Sequence, residues 1–189
     1  MDIAFVSNVV YPFVKGGAQK RIHEIGRRLV DRGHDVTVYA RHFWDGPSEV
    51  NRNGIVLKAV AAERDLYVGD RRSILEAIEY AAAVTPPLVK EARHYDLLVV
   101  SVFPYFPIFA ASVASSLEGT PLVTTWHEVW RSYWEEYLGY LAPFGKLVEH
   151  VTARMPQYPI TVSELTADRL ASIGPDRSRI RTIPNGIDY

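Results

Sequence analysis

The chain of 189 residues contains no cysteine, which excludes disulfides, thiolate metal sites and cysteine nucleophiles together. No apolar run approaches the roughly 18 residues needed to span a bilayer. The N-terminus, MDIAFVSN, lacks the basic region of a signal peptide, so a soluble, cytoplasmic chain is expected. Charge of one sign is also missing: the net charge is −1 and the pI about 6.6, which leaves no electrostatic footprint for nucleic acid. There is no G-x-x-x-x-G-K-[ST] for a P-loop, no G-x-S-x-G for a serine hydrolase and no D-x-D pair. The six histidines show no close ligand spacing, so no metal is expected. A dinucleotide site needs G-x-G-x-x-G after the first strand and an acid ending the second, and the second strand ends instead at Ala40-Arg41. Arg41 could meet a 2′-phosphate, but the glycine pattern that would bring one is missing.

What is present suffices for one well-packed domain, because 48% of the residues are apolar. Apolar runs at 3–6, 35–40, 55–60, 96–102, 121–125, 158–162 and 179–183 read as strands. Helical periodicity marks the segments from 18, 73–84, the Ala/Ser-rich stretch ending near Gly119, 144–154, and 164–173 behind a Ser163 cap. Pro86-Pro87 break or restart the second helix. Residues 41–54 read as a loop. The alternation predicts an α/β fold, a doubly wound, Rossmann-like parallel sheet of about seven strands flanked by helices. Ligands of such sheets bind beyond the carboxyl ends of the strands.

The segment from Tyr11 to Gly33, YPFVKGGAQKRIHEIGRRLVDRG, is the most informative of these loops. Ala18, Ile22, Ile25, Leu29 and Val30 define the apolar face of a helix that Gly33 ends. Its start has no Ser, Thr, Asp or Asn cap, only Gly16-Gly17, with Lys15, Lys20 and Arg21 crowding the positive end of the macrodipole. Bare amides and surplus positive charge describe a site for an anion such as phosphate. A surface turn whose amides are met by water is the alternative.

Four features, in order, resemble the N-terminal half of a retaining nucleotide-sugar glycosyltransferase of family 4, with the GT-B fold. They are the strand, Gly-Gly and helix start followed by RLVDRGHDVTVYA, His127 after the fifth strand, TVSE at 161–164, and PNGID at 184–188. The resemblance spans essentially the whole chain. It implies residues 1–183 as an acceptor-binding Rossmann-like domain and 184–189 as the start of a linker to a C-terminal donor domain. The lysine and arginine groups and the E-x7-E motif of that donor domain do not follow in this chain. Glu128 and Glu136 share the spacing by chance, in the other half.

The expected reaction is transfer of a hexose from a UDP- or GDP-sugar to an acceptor hydroxyl with retention, without a metal or other cofactor. The chain alone is expected not to turn over. The resemblance puts Gly16, Gly17 and Lys20 at the donor diphosphate. It makes His127 the catalytic-centre residue, bonding the transferring sugar or the charge developing there. Lys15, Trp126, Glu128, Ser163 and Asn185 fall at the acceptor or cleft. A UDP-sugar 2-epimerase on the same fold and a non-catalytic binding module are the alternatives.

Each of these residues also has an ordinary structural reading. His127 could be a packed histidine beside Trp126, Glu128 a helix cap, Ser163 an N-cap, and Asn185-Gly186 a turn. Trp130, Tyr133, Trp134, Tyr137 and Leu141 fall on one helical face, read first as core or interdomain packing. The sharper reading is an aromatic platform for a sugar or lipid acceptor, or a peripheral membrane contact at the cytoplasmic face. Arg71-Arg72 are expected at a helix start.

Overall fold

The structure, a computed structural model, describes residues 1–68 and 71–186. Asp188 and Tyr189, with the end of the expected linker, therefore lie outside the described residues. The strands are β1 (Asp2–Val6), β2 (Asp35–His42), β3 (Glu49–Arg52), β4 (Ile55–Ala62), β5 (Tyr67–Val68), β6 (Arg71–Arg72), β7 (Leu97–Ser101), β8 (Leu122–Trp126), β9 (Tyr158–Thr161) and β10 (Arg181–Thr182). The helices are α1 (Gly17–Val30), α2 (Ile74–Glu91), α3 (Phe106–Glu118), α4 (Tyr133–Leu138), α5 (Ala142–Arg154) and α6 (Glu164–Ala171).

Among the described residues the main sheet has eight strands in the order β10-β9-β8-β7-β1-β2-β4-β3, parallel except at β3. This is the predicted doubly wound α/β fold with one strand more than expected. The extra strand is β3, which lies in the supposed loop and pairs antiparallel with β4. Its sequence, EVNR, carries one apolar residue, as suits an edge. Asn53 and Gly54 make the turn, both at positive φ.

Two further expectations are corrected. α2 runs unbroken through Pro86 and Pro87, because Val84 and Leu88 on either side are fully buried and that packing outweighs two missing amide donors. Arg71-Arg72 do not start a helix. They pair with Tyr67-Val68 in a two-stranded ribbon, and Ser73 Oγ caps α2 by accepting from Glu76 N.

α1 packs Ile22, Leu29 and Val30 on Ile3, Phe5, Val36, Val38 and Ile55 of the sheet. The buried face passes through Gly26, not Ile25, which is more than a third exposed. A Cβ on Gly26 would come within 3.0 Å of Ile55 Cδ1, so the helix approaches β4 closely there. A larger cluster joins Ala4, Val6, Leu98 and Val100 of the sheet to Val84, Leu88, Ile108 and Ala111 of α2 and α3.

Candidate active site

The site sits where the chain changes direction. β1 leads through α1 to β2 on one side, while its other neighbour, β7, leads through α3 to β8 on the opposite side. Connections diverging from adjacent strands open a crevice beyond their carboxyl ends. The loops after β1, β8 and β9 bring Gly16-Gly17, His127 and Ser163 to that edge, and β7 ends there at Ser101.

α1 starts as the sequence predicts. Gly16 is its N-cap, in extended conformation with no side-chain cap bond, and no acid occupies the first turn. Lys15, Gly16, Gly17 and Lys20 are exposed, and the space around a Cβ on Gly17 is open. The backbone at Gly17 would accept another residue, so glycine there leaves the helix tip open to a ligand, whereas a Cβ on Gly16 would meet the end of the Gln19 side chain.

His127 follows β8 directly. Its Nε2 lies 3.1 Å from Ser101 Oγ at the end of β7. Its carbonyl accepts from Thr166 Oγ1 at 3.5 Å, in the first turn of α6. Ser163 Oγ accepts from Thr166 N at 3.1 Å, so Ser163 is an N-cap and also borders the His127 loop. Burial, and after it the positive charge of Arg21, hold the imidazole below its ordinary pKa of 6.5. Gly16-Gly17 and His127 follow parallel strands of one sheet, so the α1 tip and the imidazole lie at the same sheet edge.

Arg21 does not point at an incoming anion. Its Nη1 donates to Asn185 Oδ1 at 2.8 Å and to the Pro184 carbonyl at 3.2 Å. The segment after β10 is thereby tied to α1, and Gly17, Lys20, Asn185 and Gly186 line a common groove of about 500 Å³. Exposed Ile25 and Ile183 line the same groove, which accounts for an isoleucine off the buried face of α1.

One expectation fails at the level of the side chain, and an idea already disfavoured by the missing glycine pattern is closed. Trp126 is fully buried, with Nε1 donating to Thr124 Oγ1 and Gln157 Oε1 at 3.1 Å each, so it offers no surface to a ligand in the cleft. As the last residue of β8 it points to the core, and alternation turns His127 the other way. Arg41 is likewise fully buried, its Nε donating to Glu76 Oε1 at 2.7 Å, so it cannot read a 2′-phosphate. Glu76 also accepts from Asn8 Nδ2 at 2.9 and 3.0 Å, which anchors the start of the loop between β1 and α1.

Glu128 is exposed and caps nothing among the described residues, and α4 starts at Ser132 without a side-chain cap; the loop before it is held by Glu149 instead. Fully buried on α5, Glu149 accepts from Trp130 N at 2.7 Å, Arg131 N at 3.0 Å and Tyr105 Oη at 2.9 Å, pinning the loop that carries His127. A signal was available: Glu149 shares helical spacing with Ala142, Gly145, Thr152 and Ala153, the buried face of α5. Beyond that loop lies an open groove of about 840 Å³, lined by Glu128, Arg131, Ser132, Lys146, His150 and Arg169 among others. The aromatic face divides in two. Trp130, Trp134 and Tyr137 stack at 4.7 Å (Trp130–Trp134 and Trp130–Tyr137) as packing, while Tyr133 and Leu141 remain half-exposed.

The fold is that of one Rossmann-like lobe of the GT-B type. The chain belongs to Glycosyltransferase Family 4, whose pattern its residues 15–189 match. No curated protein sequence matches it. Among solved structures it is similar to Anabaena HepE (Alr3699), determined in complex with UDP-glucose, with 18% identity and a TM-score of 0.64 over 100% of this chain and 44% of that one. Sucrose-phosphate synthase from Thermosynechococcus elongatus superposes with a TM-score of 0.77 at 15% identity, over 99% of this chain and 48% of that one. A further structure of that synthase gives 0.68 at 14% identity, covering 100% of this chain and 91% of that one. The chain thus spans less than half the length of the first two.

Proposed function

We propose that this chain is the acceptor-binding N-terminal lobe of a transferase that moves a hexose from a UDP- or GDP-sugar to an acceptor hydroxyl with retention of configuration. The observation that carries the reading is the common sheet edge, which bears an uncapped, electropositive helix tip and a partly buried imidazole. The UDP-glucose bound to the Anabaena relative supports the nucleotide-sugar as ligand class.

As the glycosidic bond breaks, negative charge collects on the departing nucleoside diphosphate. The free amides beyond Gly16-Gly17 and the Lys20 ammonium, with Lys15 at the rim, meet that charge without a metal ion. Neutral His127, oriented by Ser101, hydrogen-bonds a hydroxyl of the transferring sugar and does not act as nucleophile. The acceptor lies in the groove beginning at Glu128, and Ser163 and Asn185 border the donor. The partner lobe would follow the segment from Pro184, so the chain alone binds ligands without turnover.

Peripheral contact with an anionic membrane surface belongs to the same proposal. Tyr140, Leu141, Phe144, Leu147 and Val151 are exposed, and the charges α5 carries outside the core are Lys146, paired with Glu135 Oε1 at 2.7 Å, and Arg154, because its one acid is buried. No helix among the described residues is long and apolar enough to cross a membrane.

A radiolabelled sugar-nucleotide assay tests the reading. Transfer is expected only when a donor lobe is joined to this chain, and His127→Ala should then lower kcat by on the order of 10²-fold. Transfer by the chain alone, or unchanged turnover in the variant, would overturn it. Interconversion of the nucleotide-sugar without acceptor would favour the epimerase alternative.

A further inference from the structure

A separate pocket opens between the start of α2, the loop after β7, α4 and α5. Its walls include Ala77, Phe103, Leu138, Phe144 and Val148, and its one charged lining residue is Arg72. Arg72 Nε and Nη2 are shut off from solvent with no hydrogen-bond partner among the described residues, and Trp134 Nε1, another lining group, is in the same state. The Arg72 guanidinium carbon lies 5.6 Å from the centroid of the Tyr67 ring, which offsets part of its charge but satisfies no N–H. Its backbone N–H donates to Tyr137 Oη at 2.8 Å, so the residue is held at this wall.

A guanidinium stays protonated throughout the working pH range, and buried donors without acceptors are costly. All the unmet groups are donors, and the rest of the wall is apolar. We propose that this pocket binds an anionic amphiphile, a single-chain molecule whose phosphate or carboxylate oxygens accept from Arg72 and Trp134 while its hydrocarbon packs on the aromatic and aliphatic wall. The enclosed volume of about 60 Å³ holds one end of such a molecule. The remainder would run out past Phe144, which is half-exposed and continuous with the apolar surface of α5. The inference does not depend on the nucleotide-sugar reading of the crevice.

The test is a titration of the chain with monododecyl phosphate below its micelle concentration, read by calorimetry and by tryptophan fluorescence. Dodecyl maltoside and inorganic phosphate serve as comparison ligands. Saturable binding is expected, at least tenfold tighter than for either comparison. Arg72→Gln should weaken it at least tenfold, Arg72→Lys less, and Leu138→Phe should block it by filling the pocket, with circular dichroism confirming that each variant is folded. Equal binding of inorganic phosphate would reduce the pocket to a simple anion site, and equal binding of the maltoside to an apolar one. Either result, the absence of binding, or binding unchanged in Arg72→Gln and Leu138→Phe would overturn the proposal.

Discussion

At the level of single residues, Gly17 separates folding from function. An alanine there meets nothing within 4 Å and improves helix propensity, so Gly17→Ala should keep or raise stability, by at most about 1 kcal/mol, while impeding approach to the bare amides. Thermal melts should show an unchanged or higher midpoint alongside weaker nucleotide-sugar binding. If binding is unaffected, the glycine is not there for the ligand. His127 gives a pH test with a definite sign. Its folded pKa lies below 6.5, so the unfolded chain binds the extra proton first and stability falls as pH drops below about 6.5. His127→Gln should shallow that fall and leave stability above pH 7.5 little changed. His23, also lowered by burial, contributes the same sign and remains in the variant. Urea midpoints between pH 5 and 8 that are parallel for the two proteins would contradict the assignment. The sequence made the Gly-Gly tip and His127 legible because missing caps and strand ends are local features. It could not expose Trp126 as core, since that depends on which face of β8 meets a neighbour, and although helical spacing puts Glu149 on the buried face of α5, it does not name the loop that Glu149 braces.

At the level of elements, the loop after β1 rests on a buried polar knot. Asn8 from the loop, Arg41 from the end of β2 and Glu76 from the first turn of α2 converge, with both charged side chains fully buried. Removing one partner strands the other, so Glu76→Ala should cost about 3–5 kcal/mol and loosen the start of the Gly16-Gly17 loop. Chemical denaturation measures the first effect and faster amide exchange at residues 7–10 the second; a loss under 1 kcal/mol would show that the knot is not the anchor. The sequence offered Arg41 only as an odd charge ending a strand. Its partner lies 35 residues away on α2, a separation that periodicity does not bridge. The same limit applies to α2, where two prolines read as a break until the burial of Val84 and Leu88 is known. β3 was missed because an edge strand carries too few apolar residues to alternate.

At the scale of the whole molecule, strand–helix alternation was enough to fix a doubly wound α/β sheet, because a parallel sheet demands a crossover after every strand. The strand order then determines where a ligand can sit, and the Gly-Gly loop and His127 arrive at that edge from opposite sides of the switch between β1 and β7. Arg21 ties the chain at Pro184-Asn185 back onto α1, so a following lobe would be held beside the proposed anion site. The claim on which the account depends is that this one crevice receives the diphosphate of a nucleotide-sugar. The most direct measurement is an amide chemical-shift titration of the isotope-labelled chain with UDP-glucose and GDP-mannose at low and high salt. The account predicts perturbations at Gly16, Gly17, Ala18 and Lys20 together with His127, and a weaker response at high salt. Perturbations confined to a distant face such as the exposed Val113–Leu117 side of α3, or none at millimolar ligand, would contradict it.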